Sequence, residues 1–172
     1  ISNVSVAEGS ALSIQATATD PDVGQSLHYS LDPGSPVGMA INLITGQLTW
    51  NPTDGPFNAQ VTVRVTDDGN PTLSDTRVFS VSVLNVAPTI SGGGDVELVV
   101  GGSLVRAGSF EDHGADTWSA MVDYGDGTGS LPLDLRSDRT FRLDHVYGVV
   151  GIHPVTITVT DTRGASASSS VT

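Results

Sequence analysis

Short runs in which apolar and polar residues alternate recur along the whole chain, and they predict β-strands. In "VTVRVT" at 61–66 the three valines share one face, while Thr62, Arg64 and Thr66 share the other. One face on a core and one face in water is typical of an antiparallel sheet, and almost no stretch reads as helix. The runs predicted as strands in the first half are 12–19, 27–31, 46–50, 59–66 and 77–84.

One of these strands is repeated. "VTVRVTD", which ends at Asp67, returns as "VTITVTD", which ends at Asp161. A period of roughly ninety residues matches one β-sandwich domain. Between the copies, Pro88 and three consecutive glycines in "NVAPTISGGGD" (85–95) interrupt the strand pattern as a linker does. We therefore predict an all-β chain of two tandem immunoglobulin-like, Greek-key β-sandwiches over residues 1–88 and 89–172, with strands in the second half at 96–100, 103–110, 117–124, 141–147, 153–160 and 165–171.

The composition narrows the expected chemistry. The chain of 172 residues has a formal net charge of −12, its seven basic residues are all arginine, and it has no cysteine. Disulfides, thiolate metal sites and cysteine nucleophiles are thereby excluded, and the acidic balance disfavours nucleic acid as a partner. No apolar run approaches the ~20 residues of a membrane helix, so membrane insertion is not expected. No signal peptide is recognisable, and we interpret the chain as a fragment of a longer protein.

The first half, over roughly residues 1–88, resembles the cadherin-like domains, especially their bacterial and dystroglycan-type branch. The matching text is Glu8 after the first strand, "ATDPD" (18–22), "INLITGQLTW" (41–50) and "VTVRVTDDGNPTLSD" (61–75). This resemblance implies an extracellular module with Ca²⁺ ligands at Asp20, Asp22 and Asp67. It also implies that Glu8 is a ligand for a site at the opposite pole of the domain.

The second half, over roughly residues 89–172, resembles the PKD domain, an immunoglobulin-like sandwich. The matching text is "GSFED" (108–112), "VDYGDGTG" (122–129) and "HVYGVVGIHPVTITVTDTRG" (145–164). Val122 stands where the family often has tryptophan, which should alter packing on that strand and leave the fold unchanged. The cadherin linker, rich in acids and asparagine, is reduced here to Asn85 in "LNVAP", so we expect metal sites within one pole of a domain.

The acids themselves support a metal hypothesis. In a sandwich joined by hairpins, strands alternate in direction, so the second and sixth strands end at the same pole. Asp20 with Asp67, and Asp112 with Asp161, follow such strands, and Asp116 lies near the second pair. Carboxylates held close together repel one another and need a counter-charge, which Ca²⁺ supplies to oxygen ligands. The alternative is that these aspartates form Asx-turns after the strands.

Other motifs give weaker hypotheses. "YGDGTG" (124–129) could be a phosphate loop, but no helix follows it, and we interpret Asp126-Gly127 as a hairpin turn. His145 and Tyr147 match the PKD text and are expected to satisfy a corner hydrogen bond. No zinc spacing and no nucleophile elbow are present, so we predict that the protein is not an enzyme. The aromatic residues Tyr29, Trp50, Phe57 and Trp118 could form a sugar platform, although core positions fit the strand pattern better.

These observations predict an extracellular or cell-surface segment of a large bacterial surface or secreted protein. Its role would be that of a spacer or adhesion region stiffened by Ca²⁺, next to neighbouring domains of the same chain. The expected partner is a protein or polysaccharide at a cell surface. The alternatives are a carbohydrate-binding accessory module of an exported polysaccharide-degrading enzyme and a structural linker without metal.

Overall fold

Every regular element of the protein is a β-strand, as the alternation of residues predicts. The computed structural model describes all residues from 1 to 172, and the chain divides into two units, Ile1–Asn85 and Val86–Thr172. Each unit consists of two sheets that enclose a separate apolar core. The predicted fold class is therefore confirmed, because the chain is a tandem of immunoglobulin-like sandwiches.

The first unit has a four-stranded sheet and a three-stranded sheet. In the larger sheet the order is β1-β7-β6-β3, and in the smaller one it is β2-β5-β4. Strands β6 and β7 form a long antiparallel hairpin, whereas β1 runs parallel to β7. The strands are β1 (Val4–Ala7), β2 (Leu12–Gln15), β3 (His28–Leu31), β4 (Ala40–Ile41), β5 (Gln47–Trp50), β6 (Phe57–Thr66) and β7 (Ser74–Leu84).

The alternating residues of β6 and β7 build the core of the first unit. Val61 and Val81 are fully buried, and Leu48 packs against them from the other sheet. On the outer face, Arg64 donates two hydrogen bonds of 2.8 Å to the carboxylate of Asp32. The inward valines and the outward arginine confirm the predicted orientation of "VTVRVT".

The second unit repeats the design with a different order of strands. One sheet has the order β12-β9-β8 and the other β11-β10-β13-β14. Its fully buried residues include Phe141, Leu143, Ile157 and Val159. The strands are β8 (Thr89–Ser91), β9 (Ser103–Glu111), β10 (Trp118–Asp123), β11 (Ser130–Pro132), β12 (Thr140–Val146), β13 (Val155–Asp161) and β14 (Ser166–Val171).

Gly108 on β9 makes room for Phe141, the largest fully buried side chain of this core. It lies opposite Phe141 of β12 in the antiparallel register. A Cβ atom at Gly108 would approach the Cζ atom of Phe141 to 2.3 Å, well inside van der Waals contact. The ring therefore packs directly over the glycine backbone, as expected where another group approaches a strand closely.

Two predictions near the joint, one of a strand and one of a linker, were wrong. The run 96–100 was predicted as a strand, but it is an exposed irregular segment. Conversely, Thr89–Ser91 lies in the predicted linker and forms β8, which pairs with β9. Alternating apolar residues do not make a strand without a partner edge, and a proline-flanked segment becomes one when an edge is available.

Candidate metal centres

Asp67, at the end of the first copy of the repeat, closes the loop between β6 and β7. Its Oδ1 atom accepts hydrogen bonds from the backbone N–H of Gly69 at 3.0 Å and of Leu73 at 2.9 Å. Its own N–H donates to the carbonyl oxygen of Leu73 at 3.1 Å. The carboxylate thus accepts hydrogen bonds from Gly69, inside the loop, and from Leu73, which directly precedes β7. We call this arrangement the Asp67 clamp.

Asp161 forms the same arrangement at the end of the second copy. Its Oδ1 atom accepts from the N–H of Arg163 at 2.8 Å and from the N–H of Ala165 at 3.0 Å. Its N–H donates to the carbonyl oxygen of Ala165 at 3.0 Å. The repeated aspartate therefore has a structural role in both units, which is the Asx-turn alternative. We call this arrangement the Asp161 clamp.

In the second unit, three predicted acids come together around the Asp161 clamp. Asp112 directly follows β9, Asp116 lies in the loop that leads to β10, and Asp161 ends β13. One carboxylate oxygen from each of the three lies within 4.8 Å of the others. The strands that carry Asp112 and Asp161 therefore end at a common pole, as strand alternation suggested. We call this group the Asp112 cluster.

Asp112 is held in place by the aromatic residue that opens β10. The indole Nε1–H of Trp118 donates to its Oδ2 atom at 2.6 Å. The Trp118 ring packs edge-on against Phe110, and the Arg139 guanidinium lies over it, 4.6 Å from the ring centroid. Arg139 also donates to the carbonyl oxygen of Asp112 at 2.7 Å. The orientation of this carboxylate is therefore fixed by packing before any ligand binds.

Asp116 carries the least satisfied carboxylate of the cluster. Its Oδ1 atom accepts from the Thr162 hydroxyl at 3.1 Å and from Arg163 Nε at 3.2 Å. Its side chain is only 1% exposed, and its Oδ2 atom is buried without a hydrogen-bond partner. A buried acceptor that lacks a donor is costly unless a cation satisfies it. The donor set, carboxylate oxygens alone, is the kind that Ca²⁺ prefers, so these residues fit the ion.

The corresponding corner of the first unit is more open. Asp20 accepts the backbone N–H of Asp22 at 2.8 Å, which is an Asx-turn, and Gln25 donates to Asp22 at 3.4 Å. The loop that carries them reaches the Asp67 clamp, where Ser26 N–H donates to Asp68 at 2.9 Å and lowers the pKa of that carboxyl. The carboxylates of Asp20, Asp22 and Asp67 nevertheless do not converge within the distance seen in the Asp112 cluster.

Glu8 lies at the other end of the first unit. Its N–H donates to the carbonyl oxygen of Leu84 at the end of β7, whereas Asp67 lies at the opposite end of the β6–β7 hairpin. Glu8 is 1% exposed, and one of its carboxylate oxygens lies within 4.8 Å of one from Asp54. Asp54 was not identified as a site residue, because it lies in "NPTDGP", where proline and glycine indicate only a turn.

The segment 124–129 is a hairpin connection rather than a phosphate loop. It joins β10 to β11, and Gly127 has a φ of 88°. Asp126 accepts from the Thr128 hydroxyl at 2.7 Å, from the Thr128 N–H at 3.0 Å and from His145 Nε2 at 2.8 Å. The two Thr128 hydrogen bonds and then the His145 contact lower the pKa of Asp126 from 3.8 to about 2. The prediction of a turn is confirmed.

The aromatic residues do not form an exposed row. Tyr29 is 8% exposed and Trp50 is 6% exposed, while Trp118 packs against the second core. The Tyr147 hydroxyl donates to the carbonyl oxygen of Tyr124 at 3.1 Å, which is the expected corner hydrogen bond. The platform that a sugar-binding alternative requires is therefore not built from these residues.

The structure contains no helix with the length and apolar character to span a bilayer.

Two family models match the chain. The PKD domain model matches residues 85–172, and the model described as "Putative Ig domain" matches residues 1–84. The predicted PKD resemblance is confirmed, and the second match agrees with an immunoglobulin-like first unit. Both families describe non-catalytic modules. No curated protein shows significant sequence similarity to the chain.

Several solved structures are similar to the chain at low identity. The EC22-24 fragment of mouse cadherin-23 has 19% identity and a TM-score of 0.48, over 98% of this chain and 61% of that one. Drosophila N-cadherin EC1-4 has 13% identity and a TM-score of 0.42, over 99% of this chain and 47% of that one. A titin I-band fragment has 12% identity and a TM-score of 0.42, over 99% of this chain and 61% of that one. The chain spans less than two thirds of each structure, and similarity at this level supports no functional assignment.

Proposed function

Because the chain belongs to the PKD domain family through residues 85–172, we propose that it is an extracellular spacer or adhesion segment of a large bacterial surface or secreted protein. PKD domains are typically extracellular and mediate contacts between proteins. In this role the two sandwiches separate neighbouring domains of the same chain, or present them to a protein or polysaccharide at a cell surface. Ca²⁺ bound by the second unit makes its loops stiffer.

The observation that carries the calcium proposal is the convergence of the Asp112 cluster. Three carboxylates within 4.8 Å of one another repel strongly when all are ionised. The buried Oδ2 atom of Asp116, which lacks a donor, adds to the need for positive charge at this place. A divalent cation held by Asp112, Asp116 and Asp161 would relieve both costs at once.

The ion would complete its shell with oxygens beyond the three acids. Ca²⁺ takes six to eight oxygen ligands, and main-chain carbonyls and water supply those that carboxylates do not. In the Asp161 clamp a single oxygen, Oδ1, accepts both backbone N–H groups. We expect the affinity of an extracellular module, a Kd of about 10⁻⁴ to 10⁻³ M.

Arg163 is the group that opposes calcium binding. Its Nε atom lies 3.2 Å from Asp116 Oδ1 and so neutralises part of the charge of the cluster. The Arg163 side chain is 43% exposed, and a partly exposed ion pair contributes little stability. A cation that binds here therefore competes with the Arg163 guanidinium for the Asp116 carboxylate.

In the first unit, calcium binding at Asp20, Asp22 and Asp67 remains a prediction. It requires the loop after β2 to move so that the three carboxylates approach one another. Glu8 and Asp54, at the other end of this unit, form a second pair of neighbouring carboxylates. Measurement of each unit separately distinguishes these sites from the Asp112 cluster.

The proposal is tested by adding calcium to the full chain while amide signals of both units are followed by NMR. We expect saturating shifts at 112–118 and 161–165 with a Kd near 1 mM, within the range of extracellular modules. The variant Asp116→Asn keeps the shape of the side chain and should abolish these shifts.

The matched control is Asp144→Asn, which removes an exposed carboxylate on β12 outside the cluster. This variant should bind calcium as the unmodified protein does. If neither the unmodified protein nor Asp144→Asn responds to 10 mM calcium, the metal role is wrong. The chain would then be a spacer without metal, in which Arg163 offsets part of the charge of the Asp112 cluster. Shifts confined to the first unit would reject the Asp112 cluster while retaining a calcium-binding module.

A further inference from the structure

Trp118, the first residue of β10, lies among the three acids of the Asp112 cluster. It is paired directly with Asp161 in the β10–β13 ladder, and it follows Asp116 by two positions. Its indole Nε1–H donates to Asp112 Oδ2 at 2.6 Å. The rest of the ring is partly buried and packs against the core of the second unit. One side chain therefore connects the cluster to the core.

The two carboxylate oxygens of Asp112 have different surroundings. Oδ2 accepts the indole N–H, and a hydrogen bond to a charged acceptor is of the stronger kind. Oδ1 accepts the N–H of Gly114 at the long distance of 3.4 Å. Because the indole holds one oxygen, the carboxylate cannot rotate freely and the other oxygen keeps one orientation. Hydrogen bonds of this kind orient the ligands of metal ions and raise the affinity of metal sites.

Arg139 supports both members of this hydrogen bond. Its guanidinium lies over the Trp118 ring, 4.6 Å from the centroid, and donates to the carbonyl oxygen of Asp112 at 2.7 Å. Arg139 is also the only residue other than glycine with a positive φ, which is 61°. This backbone conformation favours glycine and is unfavourable for an arginine. The two contacts of the side chain offset this strain, and they hold Trp118 and Asp112 together.

We propose that Trp118 and Arg139 are positioning residues for a calcium site. They hold Asp112 so that its Oδ1 atom faces a cation, which Asp116 and Asp161 also bind. This role rests on the calcium binding proposed above, and it explains how one ligand is ordered before the ion arrives. A ligand that is already ordered loses less conformational entropy on binding, and the affinity rises accordingly. The buried Oδ2 atom of Asp116, which lacks a donor, marks the place where the positive charge is needed.

Trp118→Phe tests the role of the indole, because it keeps an aromatic ring against the core and removes the N–H donor. We expect the calcium Kd of the full chain, measured from the amide shifts of residues 161–165, to rise about tenfold, as when a group that orients a metal ligand is lost. Ile157→Val, at a fully buried position on β13, is the control for lost stability and should leave the Kd unchanged. An equal Kd in Trp118→Phe and the unmodified chain would overturn the role of Trp118.

Arg139 provides a test in which two explanations predict opposite signs. Arg139→Gly removes a positive charge near the cluster, and by charge alone calcium would then bind more tightly. If Arg139 positions Asp112 and Trp118, calcium binds more weakly, although glycine relieves the strain of the positive φ. We expect the weaker binding. By contrast, Arg163→Gln removes the charge that contacts Asp116 and should strengthen binding. Tighter binding by Arg139→Gly would reject its positioning role.

The indole signals allow a measurement without metal. The chain has two tryptophans, and the indole N–H of Trp50, which donates to the carbonyl oxygen of Val37 in the first unit, is the internal control. With a chelator present, Asp112→Ala should shift the indole ¹H–¹⁵N signal of Trp118 and leave that of Trp50 in place. An unchanged Trp118 signal would contradict the hydrogen bond on which the positioning depends.

Calcium added to the unmodified chain separates the two proposals. We expect the Trp118 indole signal to shift together with the backbone amides of the cluster, while the Trp50 signal stays constant. If the amides shift and the Trp118 indole does not, the positioning role is wrong and calcium binding stands. If none of these signals shifts, the proposed calcium site is wrong and the positioning role is wrong with it.

Discussion

The Asp67 and Asp161 clamps are nearly the same structure, yet only the Asp161 clamp belongs to a group of three converging carboxylates. In both, one carboxylate oxygen accepts two backbone N–H groups and so closes a hairpin loop. In the second unit, one carboxylate oxygen each of Asp112, Asp116 and Asp161 lies within 4.8 Å of the others, whereas Asp20, Asp22 and Asp67 form no such group in the first unit. The repeated aspartate is thus a structural feature of both units, and a metal site requires additional residues.

The strand that precedes the early acid explains the difference. In the second unit β9 remains paired through Glu111, so that Asp112 stands directly at the end of the sheet. In the first unit β2 ends at Gln15, and Asp20 follows five residues later in an irregular loop. Asp112 is thus positioned by a paired strand, whereas Asp20 in the irregular loop accepts a hydrogen bond from the backbone N–H of Asp22.

The largest expected effect tests what the clamps share. Asp67→Ala and Asp161→Ala, compared in the presence of a calcium chelator, should each lower the free energy of unfolding of their own unit by about 3 kcal/mol. Each change leaves two backbone N–H groups without their charged acceptor. Hydrogen exchange of the β6 and β13 amides measures the two units separately, and the unchanged unit serves as the control. A loss in only one unit would show that the clamps are not equivalent.

The next effect concerns the strand that positions Asp112. Gly108→Ala should lower the free energy of unfolding of the second unit by about 2 kcal/mol, because the added methyl group overlaps the buried Phe141 ring. Denaturant unfolding followed by β13 amide exchange provides the measurement. Gly148→Ala is the matched control, since a Cβ there meets no atom within 4 Å, and its effect should stay below about 0.5 kcal/mol. An equal effect of the two changes would contradict the packing argument.

A smaller effect separates the two corners by their response to calcium. At 10 mM calcium the second unit should gain about 1.4 kcal/mol of stability, as expected for an ion present at roughly ten times its Kd. Asp112→Asn should remove this gain, whereas Asp20→Asn should not change the stability of either unit. Thermal or denaturant unfolding with calcium and with chelator provides the comparison. A gain that disappears with Asp20→Asn would place the site in the first unit.

The smallest expected effect is acid sensitivity away from both clamps. The pKa of Asp126 is about 2, below its ordinary 3.8, because Thr128 and His145 donate to the ionised form. A lowered pKa stabilises the fold above the ordinary value, and this contribution disappears as the pH falls from about 4 to about 2. Asp126→Asn should therefore make the second unit less sensitive to pH in this range. A matching change in the first unit would point to a general charge effect instead.

The sequence predicted correctly those strands that combine a clear alternation of apolar and polar residues with pairing to a strand on each side. The predicted run 59–66 corresponds to β6 (Phe57–Thr66), and 153–160 corresponds to β13 (Val155–Asp161). The run 12–19 was predicted too long, because β2 ends at Gln15, where its pairing with β5 stops. Alternation indicates which residues could face a core, while the length of a strand depends on a partner that is distant in sequence.

The sequence predicted the end of the domain at which the candidate site lies, but not the distances between its side chains. Strand alternation placed Asp112 and Asp161 at one pole, and their carboxylates do approach each other there. The same argument placed Asp20 and Asp67 at one pole, but it gave no position for a side chain in an irregular loop. Arg163 was not considered, although it directly follows "VTDT", because a single arginine after a turn has no distinguishing pattern. Its role depends on the contact with Asp116, which lies 47 positions away.

The parallel pairing of β1 with β7 determines how the first unit responds to a pulling force. Val4 to Ala7 lie beside Val81 to Leu84, so the strands nearest the two ends of the unit are direct neighbours. Tension applied at those ends acts along both strands in opposite senses and loads the hydrogen bonds of this ladder together. Rupture then proceeds by shear of the whole strand pair rather than by opening one bond after another.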